Sequence, residues 1–460
     1  MSLVVASALG DVTGELPVVA RRARPRRDPV AVRGWVAAAF VYVTAVFHRA
    51  GLAVAGLDAA DRFDVSVGAL SVFVLVQLGV YAAMQIPAGV LVDRYGPRCL
   101  LLAAASLMAT AQVLFAVAPD FRTALAARTL LGAGDALTFI SVLRHVSNHF
   151  SARRFTLVIG LTGVVGALGS IAATVPLHAA LAAVGWTPTF GVSALASIGA
   201  AALVWVLMPR PQPMAPGARR AAGATRAILD RVAADVRAAW SNSGTRVGFW
   251  LHYSTMTFAV MFGVLWGVPF LIAQGYSRAE ASGMLVISVV SGTLASIAVG
   301  ATFSRFRFAR VPFALLVAFG SVAGWALLVL GYEGSPPRGL ITLAVAATAV
   351  GGPASGIGFA LARDYNPVEL VGTASGIVNV GGFTSGIVAS LVVGQVLDLL
   401  GAQDAAAFRA AFLLATAVQF VGLVQAARWY RRLRAGVLAA QQRGEPVPVP
   451  AIRHRWDLAA

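Results

Sequence analysis

Lysine is absent from this 460-residue chain, and cysteine occurs once, at Cys99. Without lysine a G-x-x-x-x-G-K-[ST] phosphate loop is impossible, so ATP-driven pumping by this chain is not expected. One cysteine excludes an intramolecular disulfide, and neither H-E-x-x-H nor a cysteine pair offers a metal site. No nucleophile motif of the G-x-S-x-G kind stands in a plausible context. Acidic residues are scarce too: 19 against 36 arginines, with 12% of the chain charged where soluble domains carry ~25%. The first 20 residues have neither a basic n-region nor a clean apolar core, so no cleaved signal peptide is expected. The chain reads as a non-enzyme with no catalytic residue, metal or cofactor.

Apolar residues take the place of the missing charge, at 58% of the chain with a mean hydropathy of +0.78. The fold class predicted is an all-α membrane protein. Twelve stretches approach the ~20 residues that cross a hydrocarbon core. They are roughly 34–56, 68–92, 99–118, 123–147, 155–182, 187–208, 247–272, 280–303, 311–332, 339–361, 372–397 and 408–429. Two six-helix bundles follow, 34–208 and 247–430, with an N-terminal tail (1–33), a connection (209–246) and a C-terminal tail (431–460). In the connection Pro211, Pro213 and Pro216 mark a linker. Ile228, Leu229, Val232 and Val236 then share one face of a helix, with Arg226, Arg231 and Arg237 elsewhere. That suits either the anionic inner leaflet or a solvated linker.

A net charge of +17 would suggest nucleic acid in a soluble protein. Position explains it here. Six arginines lie between 21 and 33, and others fill alternate loops: Arg94 and Arg98, Arg153 and Arg154, Arg305, Arg307 and Arg310, and Arg363. The opposite loops hold few arginines and several acids, among them Asp58, Asp61 and Asp64. This positive-inside pattern places both termini and the connection in the cytoplasm, in a multi-pass protein of the inner or plasma membrane. Its surroundings are lipid, not nucleic acid, and a monomer is expected.

The two halves echo each other. Gly300-Ala-Thr-Phe-Ser304-Arg305 repeats Gly89-Val-Leu-Val-Asp93-Arg94 at an offset of 211, and Gly160 and Gly169 find Gly372 and Gly381 at 212. The second copy has Ser304 where the first has its acid. Gly160, Gly163, Gly166 and Gly169 recur every third residue, which permits close helix approach and reads as packing.

Charge inside a span costs at least ~2.5–3.5 kcal/mol on insertion scales, which makes it functionally suspect. Asp135 is the one acid well inside a predicted span. Arg128, Gly132 and Asp135 fall at i, i+4 and i+7 on one helical face. Arg49, preceded by His48, lies inside the first span. The plainer readings are an Arg128 that snorkels to the outer surface and a structural ion pair for Arg49 and Asp135.

The second and third spans are joined by Gly89-Val-Leu-Val-Asp93-Arg94-Tyr-Gly96-Pro97-Arg98. Gly96 and Pro97 predict a tight reversal, so these spans are antiparallel neighbours. Any membrane hairpin can carry Asp and Arg in its turn. This stretch, with Gly89, Asp93, Arg94, Gly96 and Arg98 as its defined positions, resembles the signature loop of the major facilitator superfamily of secondary transporters. The resemblance implies twelve helices in two six-helix pseudo-repeats, and an Asp93 that acts as a gating contact with the other half.

The stretch from Tyr42 to Ala55, with His48-Arg49-Ala-Gly-Leu-Ala-Val-Ala, resembles the first helix of the organic anion:proton symporter branch. Gly132-Ala-Gly-Asp135-Ala-Leu-Thr-Phe139 resembles its fourth, with Asp for the usual Glu. The long match from Ala362-Arg-Asp-Tyr-Asn366-Pro367 through Asn379-Val-Gly381-Gly382-Phe383 resembles its tenth and eleventh. The branch implies that Arg49 binds a substrate carboxylate and that Asp135 carries a coupling proton. His48 stands where the branch usually has Asp and is a second proton candidate.

Tyr42, His252, Tyr253 and Asn379 are further candidates for substrate contact, and Arg128 for a charge in the outer cavity. A lone intramembrane histidine is also a common interhelical hydrogen bonder, as an asparagine is. Gln77 and Gln85 read as structural. The expected function is transport of a small organic anion with protons by alternating access. Alternatives are drug or amphiphile efflux, nitrate-type inorganic anion transport, and a non-transporting receptor or scaffold. The fifth span lacks the Gly-Pro pair of the family's drug/proton antiporters, which argues against efflux. A reporter fused to the C-terminus should be cytoplasmic; an external signal would end the topology argument.

Overall fold

The computed structural model describes residues 29–65, 67–173, 175–210, 225–332, 334–401 and 404–452. The expected N-terminal tail up to 28, the Pro211–Pro216 linker and the last eight residues lie outside them. So do the side chains of Arg226, Ile228, Leu229 and Arg231.

The described chain is helical. In order come α1 (Pro29–Phe63), α2 (Val67–Val117), α3 (Phe121–His149), α4 (Ala152–Ala172), α5 (Val175–Val184) and α6 (Trp186–Leu207). The connecting helix is α7 (Thr225–Ser241). Then follow α8 (Ser243–Met261), a π-turn (Phe262–Trp266), α9 (Gly267–Ala273), α10 (Arg278–Arg305) and α11 (Arg310–Leu330). The last are α12 (Arg338–Ala349), α13 (Gly351–Tyr365), α14 (Val371–Leu400) and α15 (Ala405–Gln442). Among the described residues eleven stretches are long and apolar enough to cross a membrane, one of them 42 residues long, Val76–Val117. At 1.5 Å per residue that one would run ~63 Å, twice a hydrocarbon core.

It is two spans. Gly96 has φ 78° and ψ 162°, outside any helix, and Pro97 follows. A Cβ on Gly132 of α3 would meet the Gln77 carbonyl at 2.7 Å, and one on Gly134 would meet Met108 Cγ at 3.0 Å. Gln77 and Met108 would stand ~46 Å apart on a straight helix, yet they touch α3 two residues apart. The arms of α2 therefore fold back as a hairpin, and the molecule has twelve spans.

The ends differ from the sequence expectation. The first helix already includes Pro29, where the described residues begin, and so extends ahead of the predicted 34. The last runs on to Gln442, since Leu433, Val437 and Ala440 stay buried beyond its apolar span. On α7, Val236 and Trp240 pack against the main core while Arg237 is exposed.

Apolar burial does not drive helices together in lipid, so close approach by small residues matters. Gly89 meets Gly372, Gly160 meets Ser296 next to Gly300, and Gly248 meets Gly358, each with no room for a Cβ. One apolar cluster takes residues from both bundles, from Ala37 to Val378. Two others stay within one bundle each: Phe258 to Ala415 in the second and Ala55 to Phe190 in the first. The bundles thus share a core at the Gly89–Arg98 end, called here the motif end, and keep separate cores at the other.

Candidate functional site

At the motif end the loop charges sit on helix termini. Asp93 accepts from the backbone N–H of Gly372 (2.8 Å) and Thr373 (2.7 Å) and from the Thr373 hydroxyl (2.9 Å). These are the second and third residues of α14, so a carboxylate of the first bundle caps a helix of the second, at its positive end. Arg144 of α3 lies 3.3 Å from Asp93 Oδ1 and donates to the Val368 carbonyl. Arg98 donates to the carbonyls of Met208 (2.7 Å) and Trp205 (2.9 Å), the negative end of α6. Arg94 is exposed.

The second half answers differently. Ser304 bonds only its own helix, at Ala301. Asp364 instead gathers Arg307 (2.8 Å) and Arg310 (3.0 Å), and Arg310 Nη2 reaches the Ala152 carbonyl of the first bundle at 3.4 Å. Arg363 donates to the Phe150 carbonyl (2.7 Å), at the end of α3. Sequence reasoning placed Arg363 in a loop and missed Asp364 and Arg144. The signal was in the Ala362–Asn366 match, since Arg363 and Asp364 are the buried last turn of α13.

Deeper in, Arg49 Nε lies 3.2 Å from Asp135 Oδ2. Both residues are near the midpoints of their helices, α1 and α3. Asp135 is 1% exposed and Arg49 24%, and neither oxygen of Asp135 accepts a hydrogen bond. The guanidinium lies over the Tyr81 ring at 5.2 Å. Tyr81 in turn packs on Phe383 of α14 at 4.5 Å and accepts from Asn379 Nδ2 at 3.3 Å. Asn379 also donates to Gln85 Oε1 at 2.6 Å. Tyr42 comes within electrostatic reach of both Arg49 and Asp135, its ring 5.2 Å from Phe139 and in the space left by Gly166.

Arg49, Asp135, Tyr42 and Asn379 are therefore together, and Tyr81 and Gln85, which carried no site role in the sequence, join them. Other candidates stand elsewhere. His48 turns between the second arm of α2 and α6, its Nε2 2.8 Å from Ser197 Oγ and its Nδ1 2.6 Å from Gln112. Arg128 does not snorkel: it is 1% exposed, donates to the His48 carbonyl at 3.1 Å and stacks on Phe115 at 3.9 Å. The ring face and a carbonyl give the guanidinium enough to stay inside. Tyr253 lies on Gly422 of α15 and beside Trp250, away from the ion pair. His252, one residue before it, faces Phe359 at 4.9 Å, and Phe359 meets Phe139 at 5.4 Å.

Twelve spans in two bundles, joined at one end over a buried ion pair, define a membrane carrier with two halves. The profile of the Major Facilitator Superfamily matches residues 38–389, and the chain belongs to that superfamily and has its twelve-helix fold. It is a membrane transporter. Among solved structures it is similar to the proton:xylose symporter XylE bound to 6-bromo-6-deoxy-D-glucose, at 14% identity and a TM-score of 0.63. That match covers 86% of this chain and 94% of XylE. A double-tryptophan mutant of XylE matches with the same identity and coverage at a TM-score of 0.64. No match is found among curated proteins.

Asp93→Asn keeps one acceptor oxygen but loses the charge that faces Arg144 and the α14 terminus. A lost cap of this kind costs about 1 kcal/mol, roughly a fivefold shift away from the joined motif end. Transport should fall while substrate affinity, read by thermal shift, stays close to wild type. Equal losses of both would point to a folding defect.

Proposed function

We propose that the protein carries a small organic anion together with protons, by rocking its two bundles around the Arg49–Asp135 pair. The observation that carries this is the pair itself: 3.2 Å apart at mid-helix, with no hydrogen bond to either carboxylate oxygen. Arginine is a fixed cation and offers a flat fork to carboxylates. A substrate anion and Asp135 compete for it. Protonation of Asp135 frees Arg49 for the anion, and deprotonation reclaims it and releases the anion. Because an unpaired charge at this depth is costly, the cation always has one partner, and proton and anion move together.

Tyr42, Tyr81 and Asn379 complete the walls. Both His48 nitrogens are engaged by Gln112 and Ser197, which favours Asp135 as the proton carrier. Gly89, Asp93, Arg94, Gly96 and Arg98 form the gate at the motif end. The arginine pattern puts that end and both termini in the cytoplasm, so the joined state is open to the outside. Arg49 stays 24% accessible, in keeping with a path from the far end. XylE couples xylose to protons, which supports proton coupling on this architecture. A buried arginine beside an acid favours an anion over an amphiphilic drug. One chain holds the whole site, so a monomer suffices.

Asp135→Asn fixes the neutral form. It should abolish accumulation driven by a pH gradient yet preserve counterflow exchange in the same proteoliposomes. Arg49→Ala should remove both. Wild-type accumulation by Asp135→Asn would make Asp135 structural and leave His48 as the proton site.

A further inference from the structure

His252 stands at the midpoint of α8 and is 3% exposed. Its ring meets Phe359 at 4.9 Å and occupies the space that a side chain at Gly382 would fill, where a Cβ would come 2.7 Å from Nε2. Neither ring nitrogen has a hydrogen-bond partner. The Asn379 side chain and the Ser355 backbone face the ring but fall short of bonding geometry. A neutral imidazole has one N–H to give and one lone pair to fill. Buried polar groups left without a partner are rare enough to call for an explanation. The contrast with His48, bonded at both nitrogens in the first bundle, is direct.

Location supplies the explanation. Phe359 touches Phe139, which touches Tyr42 beside Arg49. Asn379 reaches Tyr81, the ring under the Arg49 guanidinium. His252 is thus, with Asn379, a polar group of the second bundle linked to the ion pair through the Phe359 and Phe139 rings. We propose that His252 recognises a hydrogen-bonding group of the substrate other than its anionic head, and that the transported anions are hydroxycarboxylates. The inference rests on the anion reading of Arg49: the arginine takes the charge, and the histidine takes the hydroxyl. A site built to bond a hydroxyl leaves its own group unpaired with the deoxy analogue and so rejects it.

The test is binding to the full chain in detergent, by thermal shift, with two matched pairs of probes: lactate against propionate, and malate against succinate. In the better-bound pair the wild type should favour the hydroxy acid by about tenfold. His252→Phe, and His252→Met as a second apolar variant, should bind both members with a ratio within about twofold of unity. His252→Gln, with a donor and an acceptor, should keep part of the preference. A wild type without preference, or apolar variants that keep the wild-type ratio, overturns the inference. Arg49→Ala run alongside separates the two readings. If it still binds the probes, the anion reading fails; if it loses them while the His252 variants keep the ratio, only the role of His252 fails. A wild type that binds no probe overturns both.

Discussion

A guanidinium at the middle of a bilayer cannot shed its charge, so the structure around Arg49 must always supply it with a partner. Asp135 on α3 is that partner here, and the Tyr81 ring face adds a second. Removing one member of a buried pair leaves a charge uncompensated at a cost of about 3–5 kcal/mol. That constraint sets the positions of α1, α3 and the first arm of α2, which converge on the pair. It also explains the thin polar lining elsewhere: Phe139, Phe359 and Phe383 surround the site and lower the local dielectric, which strengthens the pairing.

The same electrostatics operates at the motif end with helix termini instead of side chains. Asp93 meets the positive end of α14, Arg98 the negative end of α6, and Arg363 the negative end of α3. The pseudo-repeat predicts a mirror contact between Ser304 and α4. The glycine packing of that mirror survives, with Gly160 against Ser296 and Gly300 against Leu157. The carboxylate does not, and Ser151 at the start of α4 makes no side-chain cap. One face of the closed end is therefore held by a carboxylate and packing, and the other by packing with arginines on backbone carbonyls, Arg310 on Ala152 and Arg363 on Phe150.

Much of this was legible in the chain. Hydropathy located every span, because a ~20-residue apolar run has few other uses. Gly96-Pro97 announced the hairpin through backbone chemistry alone. Arg49 and Asp135 stood out because charge is rare where they sit. What stayed hidden was direction around the helix axis. His48 and Arg49 are adjacent in sequence yet serve different interfaces, as do His252 and Tyr253. Asp364 escaped because it lies at the end of a span, where an acid has no cost that would flag it.

Four residues on the first arm of α2 connect the two ends of the argument: Tyr81, Gln85, Gly89 and Asp93, each four apart and so on one stripe. Tyr81 lies under Arg49, Gln85 takes the Asn379 bond, Gly89 lets α14 approach, and Asp93 caps it. On α14 the partners Thr373, Gly376, Asn379 and Phe383 follow at spacings of three and four, again one face. Along this stripe, one of two seams between the bundles, the contacts run from the ion pair to the Asp93 cap. In the proposed cycle, a shift of the Arg49 guanidinium toward an anion would change the load at the top of that seam. Pro87 lies inside that arm, between Gln85 and Gly89, and the close contacts on either side of it tie the ion-pair end of the stripe to the Asp93 cap at its far end.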